Sequence, residues 1–321
     1  MTALPPPPVL TLPSQVRLVE VGLRDGLQAV SRVLPTEAKV ELVHLLLEAG
    51  LREIEAVSFA HPRVLPQLAD AAAVMAAVPR RDDVTYRGLV PNLRGAERAA
   101  DCGLDDLVVV VSADDTVSVK NQRRTTAEVL AELPGIARVA EAAGCRLIVA
   151  VACAFFAPAR GPVPEAERNL VVDTAVDVGA SAVYLAATSG QETPLEVAEG
   201  IGAVRRRHTQ LEVGVHLHNR NGFAPANALV AMQAGASWLE ASFSGLGGDM
   251  WFPGDPTVLG NAPMEDLVHL CEGLGVRTGV DLTAYLKVVR RAEELTGIPS
   301  TSFVTRGGTR DDLMRATWPA P

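Results

Sequence analysis

The feature that most constrains the fold is a unit of strand, helix and glycine that recurs along the chain. Apolar runs rich in β-branched residues return about every 32 residues, the length of one strand, one crossover helix and two loops. The segments between them have helical patterning, and several end at a glycine, as residues 36–49 do at Gly50. This alternation predicts a parallel sheet covered by helices. The predicted strands are residues 16–21, 53–58, 84–90, 106–111, 147–152, 182–187, 212–218 and 238–244.

Eight units in one series favour a (β/α)₈ TIM barrel over a doubly wound sheet. No Gly-x-Gly-x-x-Gly fingerprint follows the first strand, so a dinucleotide-binding fold is disfavoured. A length of 321 residues would allow two domains, but α/β barrels also reach this length as one. We therefore predict a proline-rich N-terminal arm at residues 1–15, a catalytic barrel with C-terminal helices at 16–297, and a C-terminal tail at 298–321.

Composition excludes several classes of partner. The net charge is −9 and the chain has no long basic stripe, so binding to nucleic acid is not expected. The longest uncharged apolar run, residues 147–159, is shorter than the ~18 residues that cross a bilayer, so no membrane association is expected. The cysteines form no Cys-x-x-Cys pair, which is typical of a reducing compartment and predicts a cytoplasmic protein. They are Cys102, Cys145, Cys153 and Cys271.

Polar side chains collect where predicted strands end, which is the catalytic end of a barrel. The first strand leads into Arg24 and Asp25, and the seventh ends in His216-Leu217-His218. Side chains alternate along a strand, so both imidazoles face the barrel interior. With the Asp25 carboxylate and Asn261 beyond the eighth strand, they predict a divalent-metal site. The alternative is a pair of hydrogen-bonded histidines at the rim.

The ligand types leave the metal open. A set of hard oxygen and borderline nitrogen atoms suits one divalent cation, with Mg²⁺ or Mn²⁺ preferred and Zn²⁺, Co²⁺ or Fe²⁺ as alternatives. Arg24 is a permanent cation beside this site and a candidate stabiliser of a developing enolate or carboxylate. Its alternative role is a structural ion pair with Glu55.

The run from Val19 to Gln28 resembles the opening of the 3-hydroxy-3-methylglutaryl-CoA lyases, within the metallolyase and Claisen-synthase superfamily of TIM barrels. This resemblance implies one divalent cation bound by the four residues above, with Arg24 as the electrostatic catalyst. Residues Gln28, Glu55 and Ser58, near the ends of the first two strands, are the predicted substrate-binding residues. Further similar segments are residues 48–55, 91–95, 216–218, 245–248, 260–261 and 272–282.

Three positions depart from the family pattern. Asp249 stands where these lyases usually place a catalytic cysteine, and Ala186-Ala187-Thr188 replaces a Gly-Asp-Thr at the sixth strand. Asn219 replaces the aspartate that usually follows the second histidine. Asp249 is the predicted catalytic acid if a closed site raises its pKa, with a solvent-facing loop aspartate as the alternative. His216 or a metal-bound water is predicted to move the other proton.

These observations predict a divalent-metal-dependent carbon–carbon lyase. Its substrate is expected to be a 3-hydroxyacyl-CoA such as 3-hydroxy-3-methylglutaryl-CoA, or a related hydroxy acid. One alternative is a Claisen-type synthase that joins an acyl-CoA to a 2-oxo acid on the same metal. The other is a catalytically silent barrel that serves as a binding or structural subunit. The expected partners are a small anionic substrate, which a CoA thioester would satisfy, and a second copy of the chain in a homodimer.

Overall fold

A computed structural model describes residues 11–248 and 260–317 of the chain. Within these residues, eight parallel strands close into a barrel in sequence order. The ring closes because the eighth strand pairs with the first, with Trp238 opposite Arg17. The predicted (β/α)₈ TIM barrel with C-terminal helices is confirmed. In chain order, the barrel strands are Arg17–Glu20, Glu53–Ser58, Thr85–Leu89, Asp106–Ser112, Arg146–Ala152, Ala182–Ala187, Glu212–Leu217 and Trp238–Ala241.

Helices connect the strands and continue beyond the barrel. Two helices, Thr126–Leu130 and Leu133–Ala142, lie between the fourth and fifth strands, because Pro134 in the first turn of the second helix has no N–H and is tolerated only near a helix start. A short hairpin, Phe156–Ala157 with Gly161–Pro162, follows the fifth strand. The α-helices are Thr36–Glu48, Ala71–Ala77, Leu93–Ala99, Asp115–Gln122, Thr126–Leu130, Leu133–Ala142, Glu165–Asp177, Pro194–Arg207, Ala224–Gln233, Met264–Gly273, Leu282–Thr296, Phe303–Gly307 and Arg310–Arg315.

The eighth strand is shorter than residues 238–244, the predicted range. It ends at Ala241, and a single 3₁₀ turn, Phe243–Gly245, follows it. Ser244 within this turn has a φ of 61°, a left-handed conformation that an extended strand cannot contain. The chain therefore bends sharply at the catalytic end of the barrel.

The barrel interior is filled by side chains and is not a pore. Val19, Val108, Ile148 and Trp238 belong to one buried cluster inside the ring, while alternate residues face the helices. The Trp238 indole packs so closely on Gly214 that a Cβ there would lie 2.0 Å from it. Glycine is therefore required at this position of the seventh strand.

A network of buried charges crosses the interior at the amino ends of the strands. Arg87 donates to Glu53 and, at 3.1 Å, to Glu240, and its Nε lies 3.3 Å from Asp106 Oδ2. Arg146 binds Asp106 through two hydrogen bonds of 2.7 and 2.9 Å. We call Arg87, Glu53, Asp106 and Arg146 the basal network. None of the helices in the described residues is long and apolar enough to cross a bilayer.

Candidate metal centre

Arg24 and Asp25 occupy a tight turn directly after the first strand. Gly22–Gly26 forms one turn of π-helix in which Val21 O accepts from the N–H of Arg24, Asp25 and Gly26, at 2.7 to 3.2 Å. A Cβ at Gly22 would lie 2.5 Å from the Phe243 ring, so only glycine can start this turn. The turn brings both charged side chains to the carboxyl end of the barrel.

A buried carboxylate outside the barrel holds this turn in place. Glu20 Oε1 accepts from the N–H of Gly22 at 2.7 Å and of Phe243 at 3.0 Å. Its other oxygen accepts from the Tyr285 hydroxyl on helix Leu282–Thr296. Burial raises the pKa of Glu20 to about 7. This side chain joins the loops after the first and eighth strands to the C-terminal helices.

The structure brings Asp25, His216 and His218 together. One potential ligand atom from each lies within 4.8 Å of the other two. His216 Nε2 is 3.9 Å from Asp25 Oδ2, within the ~4.2 Å that separates two ligands on opposite sides of one cation. The rings of His216 and His218 lie 5.1 Å apart between centroids. These three side chains therefore form a candidate site for one cation.

The second nitrogen of His216 is bound by a carboxylate. Its Nδ1 lies 3.2 Å from Glu240 Oε2 on the neighbouring eighth strand. A histidine ligand is commonly fixed in this way, with one nitrogen on a carboxylate and the other directed at the metal. Burial lowers the pKa of His216, but the hydrogen bond to Glu240 and the charge of Asp25 raise it above its usual value.

The charge states of the other two side chains also suit a cation. Burial, reinforced by His216, lowers the pKa of His218 to about 3, so its imidazole is neutral and keeps a lone pair. Burial raises the pKa of Asp25, but Arg24 and the two histidines outweigh it, and the net pKa is well below the usual value. Asp25 is thus an anion at any physiological pH.

Asn261 completes the set from beyond the eighth strand. Its amide nitrogen donates to Asp25 Oδ2 and to Leu246 O, both at 2.8 Å. Its amide oxygen is buried and has no hydrogen-bond partner among the described residues. A buried acceptor without a partner is rare, and a cation is a natural partner for it. The four predicted metal ligands therefore lie together and fit a divalent ion.

Arg24 forms the predicted ion pair with Glu55 and still has hydrogen-bonding capacity. It donates to Asp25 and, at 2.6 Å, to Glu55 Oε2. Its Nε and the second oxygen of Glu55 are both buried without a partner in the described part of the chain. Burial and the negative charge of Glu240 raise the pKa of Glu55, against the lowering effect of Arg24. One donor and one acceptor thus remain for another molecule.

The other predicted site residues are less closely tied to this centre. Ser58 is buried at the end of the second strand and accepts from the N–H of Ala60 at 3.2 Å. Gln28 is half-buried in the turn that follows Asp25. Asp249, the predicted acid, lies outside the described residues.

The sequence analysis did not single out Glu240 or Tyr184 for this site. Tyr184 stacks on His216 with 5.9 Å between ring centroids. Both residues are on strands and on the inward face: Glu240 is in register with His216, and Tyr184 is in register with Gly214. The alternation rule identified the two histidines. Applied to the sixth and eighth strands, the same rule could have revealed Tyr184 and Glu240.

A family model described as HMGL-like matches residues 15–291. The chain belongs to this family. It is 37% identical over 303 residues to the (R)-citramalyl-CoA lyase of Chloroflexus aurantiacus, covering 91% of this chain and 95% of that protein. It is 34% identical over 277 residues to the mitochondrial hydroxymethylglutaryl-CoA lyase of Homo sapiens, covering 86% of this chain and 84% of that one.

Solved structures of this family have the same fold. An HMG-CoA lyase from Acinetobacter baumannii, in complex with coenzyme A and 3-methylmalate, superposes with a TM-score of 0.88 at 32% identity, covering 96% of this chain and 98% of that one. The enzyme from Pseudomonas aeruginosa gives 0.87 at 31% identity, covering 95% and 99%. This HMGL-like chain is therefore an enzyme of the lyase class.

Proposed function

We propose that this lyase is divalent-metal-dependent and cleaves a carbon–carbon bond in a 3-hydroxyacyl-CoA, such as 3-hydroxy-3-methylglutaryl-CoA or a close analogue. The observation that carries the proposal is the grouping of Asp25, His216, His218 and Asn261 at the carboxyl end of the barrel. In support, similar proteins are named as lyases of hydroxymethylglutaryl-CoA and of (R)-citramalyl-CoA.

In such a cleavage, the substrate hydroxyl loses its proton and becomes a carbonyl, and the C2–C3 bonding pair moves to the thioester as an enolate. A proton then adds to the enolate carbon to give acetyl-CoA. A divalent cation in this site would supply Lewis acidity, which lowers the pKa of a coordinated hydroxyl. We assign Mg²⁺ or Mn²⁺ to it from the mixed set of two oxygen and two nitrogen ligands.

The remaining steps, which are proton removal, stabilisation of negative charge and protonation of carbon, are assigned to residues of the chain. Both nitrogens of His216 are engaged if it is a ligand, since Nδ1 faces Glu240 and Nε2 faces Asp25. We therefore assign His216 to metal binding and the hydroxyl proton to the unpartnered oxygen of Glu55. The Arg24 guanidinium, fixed by two carboxylates, is placed to stabilise negative charge. Asp249 remains the proposed acid for the enolate carbon.

One experiment tests this function directly. The full-length protein, loaded with Mn²⁺ or Mg²⁺, is incubated in parallel with 3-hydroxy-3-methylglutaryl-CoA and citramalyl-CoA. Release of acetyl-CoA together with acetoacetate or pyruvate, and its loss on chelation, is the expected result. The proposal is refuted if neither thioester is cleaved by protein that contains one equivalent of metal.

The same assay separates the remaining assignments. Removal of Asp249 by Asp249→Ala should lower kcat if it is the acid, whereas an unchanged kcat would assign that step elsewhere. We also propose a homodimer and a cytoplasmic location, which sedimentation of the purified chain and fractionation of cells would test.

A further inference from the structure

The sixth strand contributes a tyrosine hydroxyl to the site, where a carboxylate would be expected. Its end carries no carboxylate, because it reads Ala186-Ala187-Thr188. Tyr184 lies two residues before Ala186 on the same inward face and is buried. The phenol is therefore the polar side chain that the barrel part of this strand presents to the interior.

Small residues surround the Tyr184 ring. In register beside it lie Ala150 on the fifth strand and Gly214 on the seventh, and Ala186 follows it toward the catalytic end. A large ring among such small neighbours occupies the interior just below the metal centre. It stacks on the ring of His216 at an interplanar angle of 30°.

The Tyr184 phenol also interacts with the charged groups of the centre. Burial, then the negative charges of Glu240 and Glu55, raise the pKa of Tyr184 well above its usual value. The second strand, which carries Glu55, and the sixth strand, which carries Tyr184, are opposite each other in the ring. A tyrosine hydroxyl, with an ordinary pKa of about 10, keeps its proton near neutral pH and can donate a hydrogen bond inside the site.

Two polar atoms of this centre, Arg24 Nε and Glu55 Oε1, are buried without a hydrogen-bond partner among the residues that the structure describes. Polar groups buried in a protein are normally paired. These two unpaired groups, across the barrel from the sixth strand, indicate that a bound polar molecule completes their hydrogen bonds.

We propose that Tyr184 contacts the substrate, donating a hydrogen bond from its hydroxyl to an oxygen of the hydroxyacyl group, and that its ring limits the depth of the acyl pocket. This inference rests on the proposed lyase function and adds a specificity-determining residue to it. It follows that a short, oxygen-bearing acyl group fits the wild-type site and a long branch does not.

Two substitutions separate the roles of the hydroxyl and the ring. Tyr184→Phe keeps the ring and should lower kcat/KM about 10-fold or more, with metal content and Tm unchanged. Tyr184→Ala should open the pocket and improve the ratio of turnover on longer-branched to short-branched hydroxyacyl thioesters. The matched control is Tyr86→Phe, since the buried Tyr86 hydroxyl donates at 2.8 Å to Pro79 O, away from the centre.

A binding measurement keeps this test separate from that of the proposed function. Calorimetric titration of the Mn²⁺-loaded protein with 3-hydroxy-3-methylglutarate should give weaker binding for Tyr184→Phe than for wild type or Tyr86→Phe. If the wild-type protein binds the acid but cleaves no thioester, the proposed lyase function is wrong. The role of Tyr184 is then tested by the affinity of Tyr184→Phe for the acid. Equal affinity and equal kcat/KM in Tyr184→Phe, or no binding and no cleavage by wild type, would overturn the inference.

Discussion

The two ends of the barrel interior use buried charge in opposite ways. In the basal network, Arg87 faces three carboxylates, and the most deeply buried of them, Asp106, also receives two hydrogen bonds from Arg146. At the metal centre, buried polar atoms of three side chains, Arg24, Glu55 and Asn261, make no hydrogen bond in the described residues. In the basal network one atom, Arg87 Nε, makes none, but it lies 3.3 Å from the Asp106 carboxylate. The first arrangement is therefore more nearly complete in the protein alone than the second.

This difference indicates where the fold is stabilised and where a ligand binds. A buried charge that has its partners is costly to disrupt, while an unpaired one is retained because something else binds it. Glu240 joins the two ends, since one oxygen accepts from Arg87 and Trp238 and the other holds His216. Substitutions at the two ends should therefore change different quantities.

The largest effect is expected at the metal centre. Asp25→Ala and His216→Ala each remove one ligand and should reduce turnover below detection, because the remaining ligands do not hold the cation tightly. Mass spectrometry of the purified variants should find less than one metal per chain, with folding retained by circular dichroism. His208→Ala is the matched control, because His208 binds Asp173 outside the barrel at 2.7 Å. Full activity in either ligand variant would contradict the metal assignment.

The next effect belongs to the basal network and concerns stability. Arg87→Met leaves three buried carboxylates without their shared cation and should lower the free energy of unfolding by about 3–5 kcal/mol. Urea denaturation followed by circular dichroism measures the loss. Arg146→Met, at the more exposed edge, should cost less. Folded Arg87→Met protein should still bind one metal, and loss of that metal would show that the two ends are not separable.

A smaller effect is expected where the two ends meet. Glu240→Gln weakens the support of His216 and should reduce metal affinity about 10- to 100-fold, with activity recovered at high metal concentration. Titration with Mn²⁺, monitored by electron paramagnetic resonance, gives the dissociation constant. An unchanged constant would mean that the contact at 3.2 Å has no role in orienting the imidazole.

The sequence alone predicted the fold and the inward-facing histidines of the candidate metal centre, but not the basal network. The strand–helix period specified the barrel, and the alternation of Gly214, His216 and His218 correctly placed both imidazoles in the interior. Local patterns of this kind depend on backbone geometry within one segment. The turn after Val21 and the end of the eighth strand were not predicted, since they depend on contacts between distant segments such as Glu20 with Phe243.

The basal network was not predicted for the same reason. Glu53, Arg87 and Asp106 are on three different strands, and each by itself resembles an ordinary charged residue of a strand. The register between the neighbouring second, third and fourth strands brings them within ion-pair distance, and closure of the barrel adds Glu240 from the eighth strand. A sequence motif identifies chemistry carried by adjacent residues, whereas charge pairing across a closed sheet becomes visible only in three dimensions.

The smallest effect is expected at a helix terminus at the amino-terminal end of the barrel, away from the metal centre. Asp281 precedes helix Leu282–Thr296, and its side chain accepts from the N–H of Ala284 at 3.0 Å. Asp281→Ala should lower the free energy of unfolding by about 1 kcal/mol, the usual cost of losing an N-cap. Metal affinity and kcat should not change, as measured on the same preparation. A loss of metal in this variant would show that any loosening of the C-terminal helices reaches the centre through Tyr285 and Glu20, and that stability and metal binding in this barrel are coupled.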